Sequence, residues 1–337
     1  MKAVGYQDTS ERAVEGCLQD IDIAKPSPGA KDLLVAIQAI SVNPIDTKIR
    51  RRAAADAGQY KILGWDAVGV VEAVGAEVNR FKPGDRVFYA GDAARPGVNA
   101  EYNLVDERIV GKAPLQLSNA EAAAMPLTSV TAWEILFDRL QINVGKSASQ
   151  QRLLIIGGAG GVGSIMTQLA RKLTGIEVIA TASRESTQAW VKKMGAHHVI
   201  DHSKPLSEEL SELGIEAVDY VASLTHTHEH VSEIQKVLKP QGKLALIDDP
   251  DVFDIKIFKD KSISIHWELM YTRIKYNTPD MAAQGQILSE VAYLLDEGVL
   301  QTTQTEHFGT INAKNLTLAH RAIETNKTLG KIVLEGF

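Results

Sequence analysis

A short glycine run in the middle of the chain restricts its fold more than any other feature. Gly158-Ala159-Gly160-Gly161-Val162-Gly163 follows the apolar stretch Leu153-Leu154-Ile155-Ile156. It precedes Ile165, Met166, Leu169, Ala170 and Leu173, an apolar stripe at helical spacing. A strand, a glycine turn and an amphipathic helix in that order leave few architectures open. The pattern G-x-G-x-x-G alone is common. In this setting its glycines serve a tight turn, a close approach of backbone to a pyrophosphate, and close helix–strand packing. The helix start adds free N–H groups and the positive end of the helix dipole. The reading is a dinucleotide-binding unit built around Gly158, Gly160 and Gly163.

The segments that follow extend this unit. Val178-Ile179-Ala180 reads as the next strand and Gln188 to Met194 as the next helix. Val199-Ile200, Val218-Asp219-Tyr220-Val221 and Leu244-Ala245-Leu246-Ile247 are further short strands. Strands interleaved with helices imply parallel pairing through right-handed crossovers. The first third of the chain is different. Leu33 to Ile37, Ala67 to Val78 and Arg86 to Tyr89 are strand-like and separated by glycine and proline, as in Phe81-Lys82-Pro83-Gly84-Asp85. Ser118, with Glu121 at capping-box spacing, marks a helix start where the pattern changes. The tail carries a helix from Ile287 to Glu297, ended by Gly298, and a closing strand from Lys331 to Leu334. It is too short for its own core, whereas 337 residues exceed one typical core. The expected organisation is an α/β chain. A discontinuous, β-rich, partly barrel-shaped catalytic domain (1–124 and 268–337) would surround a doubly wound parallel-sheet nucleotide domain (125–267).

Cofactor choice turns on the end of the second strand of the unit. NAD sites usually place Asp or Glu about 20 residues past the glycines to bond the ribose 2′-hydroxyl. Here the strand tip reads Thr181-Ala182-Ser183-Arg184, and Glu185 comes only after the arginine. A hydroxyl donor and a fixed planar cation suit a 2′-phosphate, so NADPH is expected over NADH.

The net charge of −6 argues against nucleic acid or an anionic membrane as partner. The one basic run, Arg50-Arg51-Arg52, reads as a solvated loop or helix face. The single Cys17 excludes an intramolecular disulfide and a cysteine-rich zinc site. The N-terminus has no apolar signal region, and no stretch approaches the ~20 apolar residues of a membrane span. A cytoplasmic protein is expected. His226, His228 and His230 form H-x-H-x-H, open to two readings: surface histidines or a transition-metal site. No functional metal is expected. Asp254 to Phe258 and Ser262 to Ile265 alternate apolar with polar residues, as an exposed sheet edge does, and point to a homodimer.

Several stretches in order resemble the medium-chain dehydrogenase/reductase superfamily: Ser41-Val42-Asn43-Pro44-Ile45-Asp46-Thr47-Lys48, Gly64-Trp65-Asp66-Ala67-Val68-Gly69-Val70-Val71, Phe81 to Val87, Pro126-Leu127-Thr128-Ser129-Val130-Thr131-Ala132-Trp133, and Gly158 to Gly163. The Asn-Pro-x-Asp version is similar to the quinone-oxidoreductase and zinc-type alcohol dehydrogenase-like subgroup. The resemblance implies a Rossmann domain and a GroES-like catalytic domain. It implies cofactor contacts at Asn43, Thr128, Thr131, Gly158, Gly160, Gly161, Val162, Gly163, Ser183, Arg184, His202, Ser223, Leu224, Thr225, Ile247, Asp248 and Lys331. Zinc-dependent members place ligands where this chain has Asn43, Trp65, Asp66 and a residue near Leu127. Trp and Leu cannot coordinate zinc, and Asn does so poorly.

The implied activity is a zinc-independent, NADPH-dependent oxidoreductase that passes hydride to a quinone or an α,β-unsaturated carbonyl. The alternatives are a zinc-independent alcohol or carbonyl oxidoreductase, and a crystallin-like NADPH-binding protein with little turnover. Asn43 is the first candidate for positioning, supported by Asp46 and Lys48. Tyr60 and Tyr89 are possible acids or pocket wall, and Asp66 reads as structural.

Overall fold

The computed structural model describes residues 1–145 and 149–337. The chain divides into two compact units, Met1–Val130 with Tyr271–Phe337, and Thr131–Met270. The first break lies within the helix Pro126–Trp133, past the domain boundary at 124/125 expected from the sequence.

The second unit is a six-stranded parallel sheet. Its strands lie in the order His198–Ile200, Glu177–Thr181, Arg152–Ile156, Val218–Ser223, Leu238–Leu246 and Ser264–Trp267. Counted from Arg152–Ile156, this is the 3-2-1-4-5-6 arrangement of a Rossmann sheet. The central strands are buried along nearly their whole length, which is why they read as continuous apolar runs. Leu154, Ile179, Val221 and Leu244 of the sheet pack with Leu206, Leu210, Ile234 and Val237 of two helices, Leu206–Glu212 and Thr227–Val237. The strand order reverses between Arg152–Ile156 and Val218–Ser223. In such sheets ligands bind beyond the carboxyl ends of the strands at that point.

One expectation about this unit is corrected. Asp254 to Phe258 is not an edge strand but a 3₁₀ turn, Ile255–Phe258, with Asp254 Oδ1 accepting the Lys256 N–H at 2.9 Å. The local side-chain bond outcompetes ladder pairing, and the alternation instead buries Phe258 while Ile255 stays exposed. The edge strand is Ser264–Trp267, which pairs with Leu238–Leu246 on one side.

The first unit holds an antiparallel three-stranded sheet of Gln19–Asp22, Lys2–Tyr6 and Lys61–Ile62. It also holds a seven-stranded sheet ordered Gln304–His307, Lys331–Glu335, Asp32–Val42, Ala67–Val74, Arg86–Tyr89 and Gly111–Lys112, with Tyr102–Asp106 also paired to Asp32–Val42. The C-terminal strand enters this sheet antiparallel, Ile332 opposite Val42. The tail therefore completes the first unit, as its lack of an independent core requires.

The basic run is a second correction. Arg51 and Arg52 are exposed, but Arg50 is fully buried on the helix Pro44–Arg52. Its guanidinium donates to Glu324 and, at 2.9 Å, to Nδ1 of His320, both on the helix Ala313–Glu324. A charge run shows nothing of the partner helix some 270 residues away that pairs with one member of it. Because His320 must accept that bond inside the protein, burial first and Arg50 second push its imidazole down to about 3. Its folded pKa lies below the unfolded one, so stability falls as pH drops below about 6.5, by up to ~1.4 kcal/mol per pH unit. His320→Asn keeps an acceptor but cannot titrate. Urea unfolding at pH 7 and pH 5 should show a smaller loss in this variant than in wild type; equal losses would assign the acid sensitivity elsewhere.

Among the described residues, no helix is long and apolar enough to cross a membrane.

Candidate functional site

In the nucleotide unit, the glycines after Arg152–Ile156 divide their tasks. Gly157 has φ +86°, a left-handed turn that glycine adopts without strain. Its N–H donates to Thr181 Oγ1 at 3.0 Å, and Gly158 N–H to the Thr181 carbonyl at 3.2 Å, so the loop is pinned to the neighbouring strand end. A Cβ on Gly158 would lie 2.9 Å from Ala180 Cβ, and one on Gly163 only 2.4 Å from the Gly157 carbonyl. Both are packing glycines. Gly160 differs, because a Cβ there would meet nothing closer than 3.7 Å. Its missing side chain leaves open space at the start of the helix Gly161–Leu173, where N–H groups and the dipole favour a pyrophosphate. These residues fit a dinucleotide.

At the second strand tip, Thr181 and Ala182 are buried while Ser183 and Arg184 are exposed. Glu185 is the exposed first residue of the helix Glu185–Lys193, where an acid suits the positive helix end. His202 joins this corner through Nδ1, 3.0 Å from Thr181 Oγ1. Leu224 and Ile247 lie half-buried at strand ends.

Three predicted contacts are engaged inside the protein. The Ser223 hydroxyl is buried 2.7 Å from Thr227 Oγ1, and both Asp248 carboxylate oxygens accept from Thr227, its N–H at 2.7 Å and its hydroxyl at 2.5 Å. Thr225 Oγ1 lies 2.7 Å from Nδ1 of His226. Ser223 and Asp248 secure the start of the helix Thr227–Val237. Thr181, the anchor of the glycine loop, was not singled out in the sequence; its position 18 residues past Gly163 resembles any strand threonine.

In the first unit, three neighbouring strand ends bring Asn43, Asp66 and Lys331 together. Asn43 precedes Pro44, which confines it to extended backbone, here φ −129° and ψ 157°, and Pro44 opens the helix Pro44–Arg52. Asn43 N–H donates to Asp46 Oδ2 at 2.6 Å, half of a capping box. The Asn43 side chain turns inward, with Nδ2 donating to Asp66 Oδ2 at 2.8 Å. The Lys331 ammonium donates to Asp66 Oδ2 at 2.9 Å, to the Val42 carbonyl at 3.2 Å, and to Asn43 Oδ1. Asp66 Oδ1 accepts Leu127 N–H at 2.7 Å. Val42, Asn43, Asp46, Asp66 and Lys331 are all buried.

The polar groups of this cluster are committed to one another. Lys331 spends its three donors on protein acceptors. Both ends of the Asn43 amide are used, so Asn43 holds the ion pair. Asp66 has both carboxylate oxygens engaged by protein donors. Two carboxyls share one ammonium here, and burial raises both. Asp46 has no bond to the ammonium; burial first, against the Asn43 N–H and Lys331, pushes it up to about 7. Among the described residues its Oδ1 has no hydrogen-bond partner, and neither does the buried hydroxyl of Tyr271. Burial, then Asp46, Asp66 and Asp92, holds that phenol well above its ordinary value. Sequence reasoning missed Tyr271, which no motif marks. Tyr89 donates to Asn103 Oδ1 at 3.1 Å and Tyr60 to Gln19 Oε1 at 3.2 Å, so neither belongs to this cluster. Lys48 is half-buried on the Pro44–Arg52 helix, and Thr128 and Thr131 are buried one turn apart on Pro126–Trp133.

Residues 29–115 match the alcohol dehydrogenase GroES-like domain and residues 194–334 the zinc-binding dehydrogenase family. A zinc-type alcohol dehydrogenase-like protein of Staphylococcus aureus is 40% identical over 344 residues, covering 99% of each chain. A solved Rhizobium etli protein, provisionally named a zinc-dependent alcohol dehydrogenase, is 54% identical with a TM-score of 0.96, covering 100% of this chain and 98% of that one. The quinone oxidoreductase of Coxiella burnetii is 26% identical with a TM-score of 0.82, covering 100% and 99%. The chain belongs to the medium-chain dehydrogenase/reductase superfamily, a family of nicotinamide-dependent oxidoreductases.

Zinc does not fit the residues at its customary place. Asn43 and Asp66 are already bound to an ammonium, and Trp65 points its N–H at the Asp92 carbonyl, 3.1 Å away. Among the described residues no group of three or more His, Cys, Asp or Glu is arranged to hold a metal, the H-x-H-x-H cluster included.

Removing one partner of a buried ion pair costs about 3–5 kcal/mol. Lys331→Met should lose stability on that scale in urea unfolding at pH 7, and the double variant with Asp66→Asn should recover part of it. A loss under about 1 kcal/mol, the range of a surface pair, would show the ammonium to be solvated.

Proposed function

We propose that the chain is a cytoplasmic, zinc-independent, NADPH-dependent reductase that transfers hydride to a quinone or an α,β-unsaturated carbonyl. The observation that carries this reading is the Lys331 ammonium seated among Asn43 Oδ1, Asp66 Oδ2 and the Val42 carbonyl. A donor set committed to an ammonium is closed to a metal-bound alkoxide. The Coxiella quinone oxidoreductase, alike over the full chain, supports the same reading.

The bound cofactor supplies the hydride. The chain binds and orients it, with the open face at Gly160 and the helix start receiving the pyrophosphate and Ser183 and Arg184 the 2′-phosphate. Asn43 and Lys331 act as positioning residues that stiffen the strand ends. Tyr271 holds a proton at its hydroxyl oxygen, and Asp46 holds one near neutrality. Either can serve the oxygen of a conjugated acceptor as negative charge develops there.

The test is NADPH oxidation with 1,4-benzoquinone, 9,10-phenanthrenequinone and simple enones, against alcohol with NADP⁺ as control, on chelator-treated protein. Quinone or enone turnover that survives chelation is expected. Alcohol oxidation alone would favour a carbonyl or alcohol oxidoreductase, and activity restored only by zinc would overturn the reading. In the same assay Arg184→Ala should weaken NADPH about 10- to 100-fold, the range of one charge-assisted bond, and leave NADH nearly unchanged.

The exposed edge strand Ser264–Trp267, with Trp267 and Leu269 solvent-facing, suits pairing with a second copy. A homodimer is expected by sedimentation at micromolar concentration; a monomer there would refute it.

A further inference from the structure

Three half-buried histidines gather where the nucleotide unit presents its strand ends. His202 follows the strand His198–Ile200, while His226 and His230 flank and enter the first turn of the helix Thr227–Val237. The His202 and His230 rings stand edge to face with centroids 6.4 Å apart. His202 Nδ1 lies 3.0 Å from Thr181 Oγ1, the same oxygen that accepts the Gly157 N–H of the glycine loop. That hydroxyl has one proton to give and two lone pairs to offer. It can donate to a neutral His202, or accept from a protonated one without losing Gly157. In both states Nε2 of His202 is left to donate to a ligand. His230 adds a second imidazole, while the start of its helix is already capped by the Asp248 carboxylate.

We propose that His202 and His230 complete, with Arg184, a phosphomonoester subsite beside the second strand tip, and that it takes up a proton when a 2′-phosphate binds. The proposal rests on the NADPH reading and deepens it: part of the preference for NADPH then comes from titratable groups rather than from Arg184 alone.

The surroundings suit a pair that is neutral without a ligand. Around His202, burial acts first and disfavours the charged ring, His226 and Arg184 add to that, and Asp201 and Glu229 oppose it. Around His230, burial again leads, His202, His226 and His228 add to it, and Glu229 opposes it. Both rings are held below their ordinary range, so near pH 7 they are mostly uncharged. A dianion beside them reverses the balance and raises both. Groups whose pKa rises on binding take up protons, so affinity strengthens as pH falls toward that range, by at most about tenfold per pH unit for each proton taken up. The phosphate cannot mimic this. Its second pKa is about 6, and a cationic site would drive its proton off.

The experiment is calorimetric titration of the full-length protein with NADPH and with NADH between pH 6.5 and 8, in buffers of different ionisation enthalpy. NADPH binding should weaken as pH rises, with net proton uptake near pH 7, while NADH binding stays nearly flat. His202→Asn and His230→Asn should each lower the uptake, and the double variant should abolish it while still binding NADH, which shows that it is folded. A constant NADPH preference with no proton uptake, or uptake that persists in the double variant, overturns the subsite and leaves the NADPH reading intact. NADPH no tighter than NADH at any pH sinks both.

Discussion

A primary ammonium is costly to remove from water unless every donor finds an acceptor and the charge finds a counter-ion. Lys331 meets both conditions with Asp66, Asn43 and the Val42 carbonyl, and much of the first unit depends on that solution. The C-terminal strand must enter beside Asp32–Val42 in the register that sets Ile332 opposite Val42, or the ammonium misses its partners. Asn43 must be extended to turn its amide inward, and Pro44 ensures that it is. Asp66 must have its second oxygen satisfied, which the Leu127 N–H does at the start of a helix. Burial raises the nearby Asp46 carboxyl toward neutrality, and the Asn43 N–H and the ammonium offset it only in part.

The second unit organises its ligand-facing edge around a hydroxyl instead. Thr181 Oγ1 accepts the Gly157 N–H and meets His202, so one side chain couples the glycine loop to the third strand end. Asp248 and Ser223 do comparable work for the helix that carries His230. Gly160 is left as the open position, and its emptiness is meaningful because Gly158 and Gly163 of the same loop are packed tight.

These two units were unequally legible in the sequence. The Rossmann unit could be read almost strand by strand, because its signals are local: buried parallel strands are apolar runs, and the glycine turn is contiguous with the helix it opens. Ser118 and Glu121 were legible for the same reason, since both capping-box bonds lie within one turn. What escaped depends on distant partners. Nothing local tells Arg50 from Arg51 and Arg52; only the helix bearing His320 and Glu324 does. Lys331 and Asp66 are 265 positions apart, so the sequence offers the lysine only as an implied cofactor contact and the aspartate only as structural, with no hint that they pair. Tyr271 belongs to no motif, and its interest lies in being buried without a partner. The alternation at Asp254–Phe258 misled because a short 3₁₀ turn and a short strand bury similar numbers of apolar residues.

The ammonium also limits the chemistry available. A catalytic metal keeps a coordination position open and can polarise a substrate oxygen as a Lewis acid. Lys331 has only three N–H donors, and all three are given to the protein. It supplies the charge needed to neutralise Asp66 but keeps no donor for a substrate. An unconjugated ketone or aldehyde would then meet a site without a strong electrophile. The proposed quinone or enone acceptor suits this constraint, because hydride arriving at carbon sends the charge along the conjugated system to its oxygen. What remains for the protein is orientation and one hydrogen-bond donor near that oxygen. A neutral phenol, kept protonated by burial and by three acidic neighbours as Tyr271 is, is well matched to that smaller task.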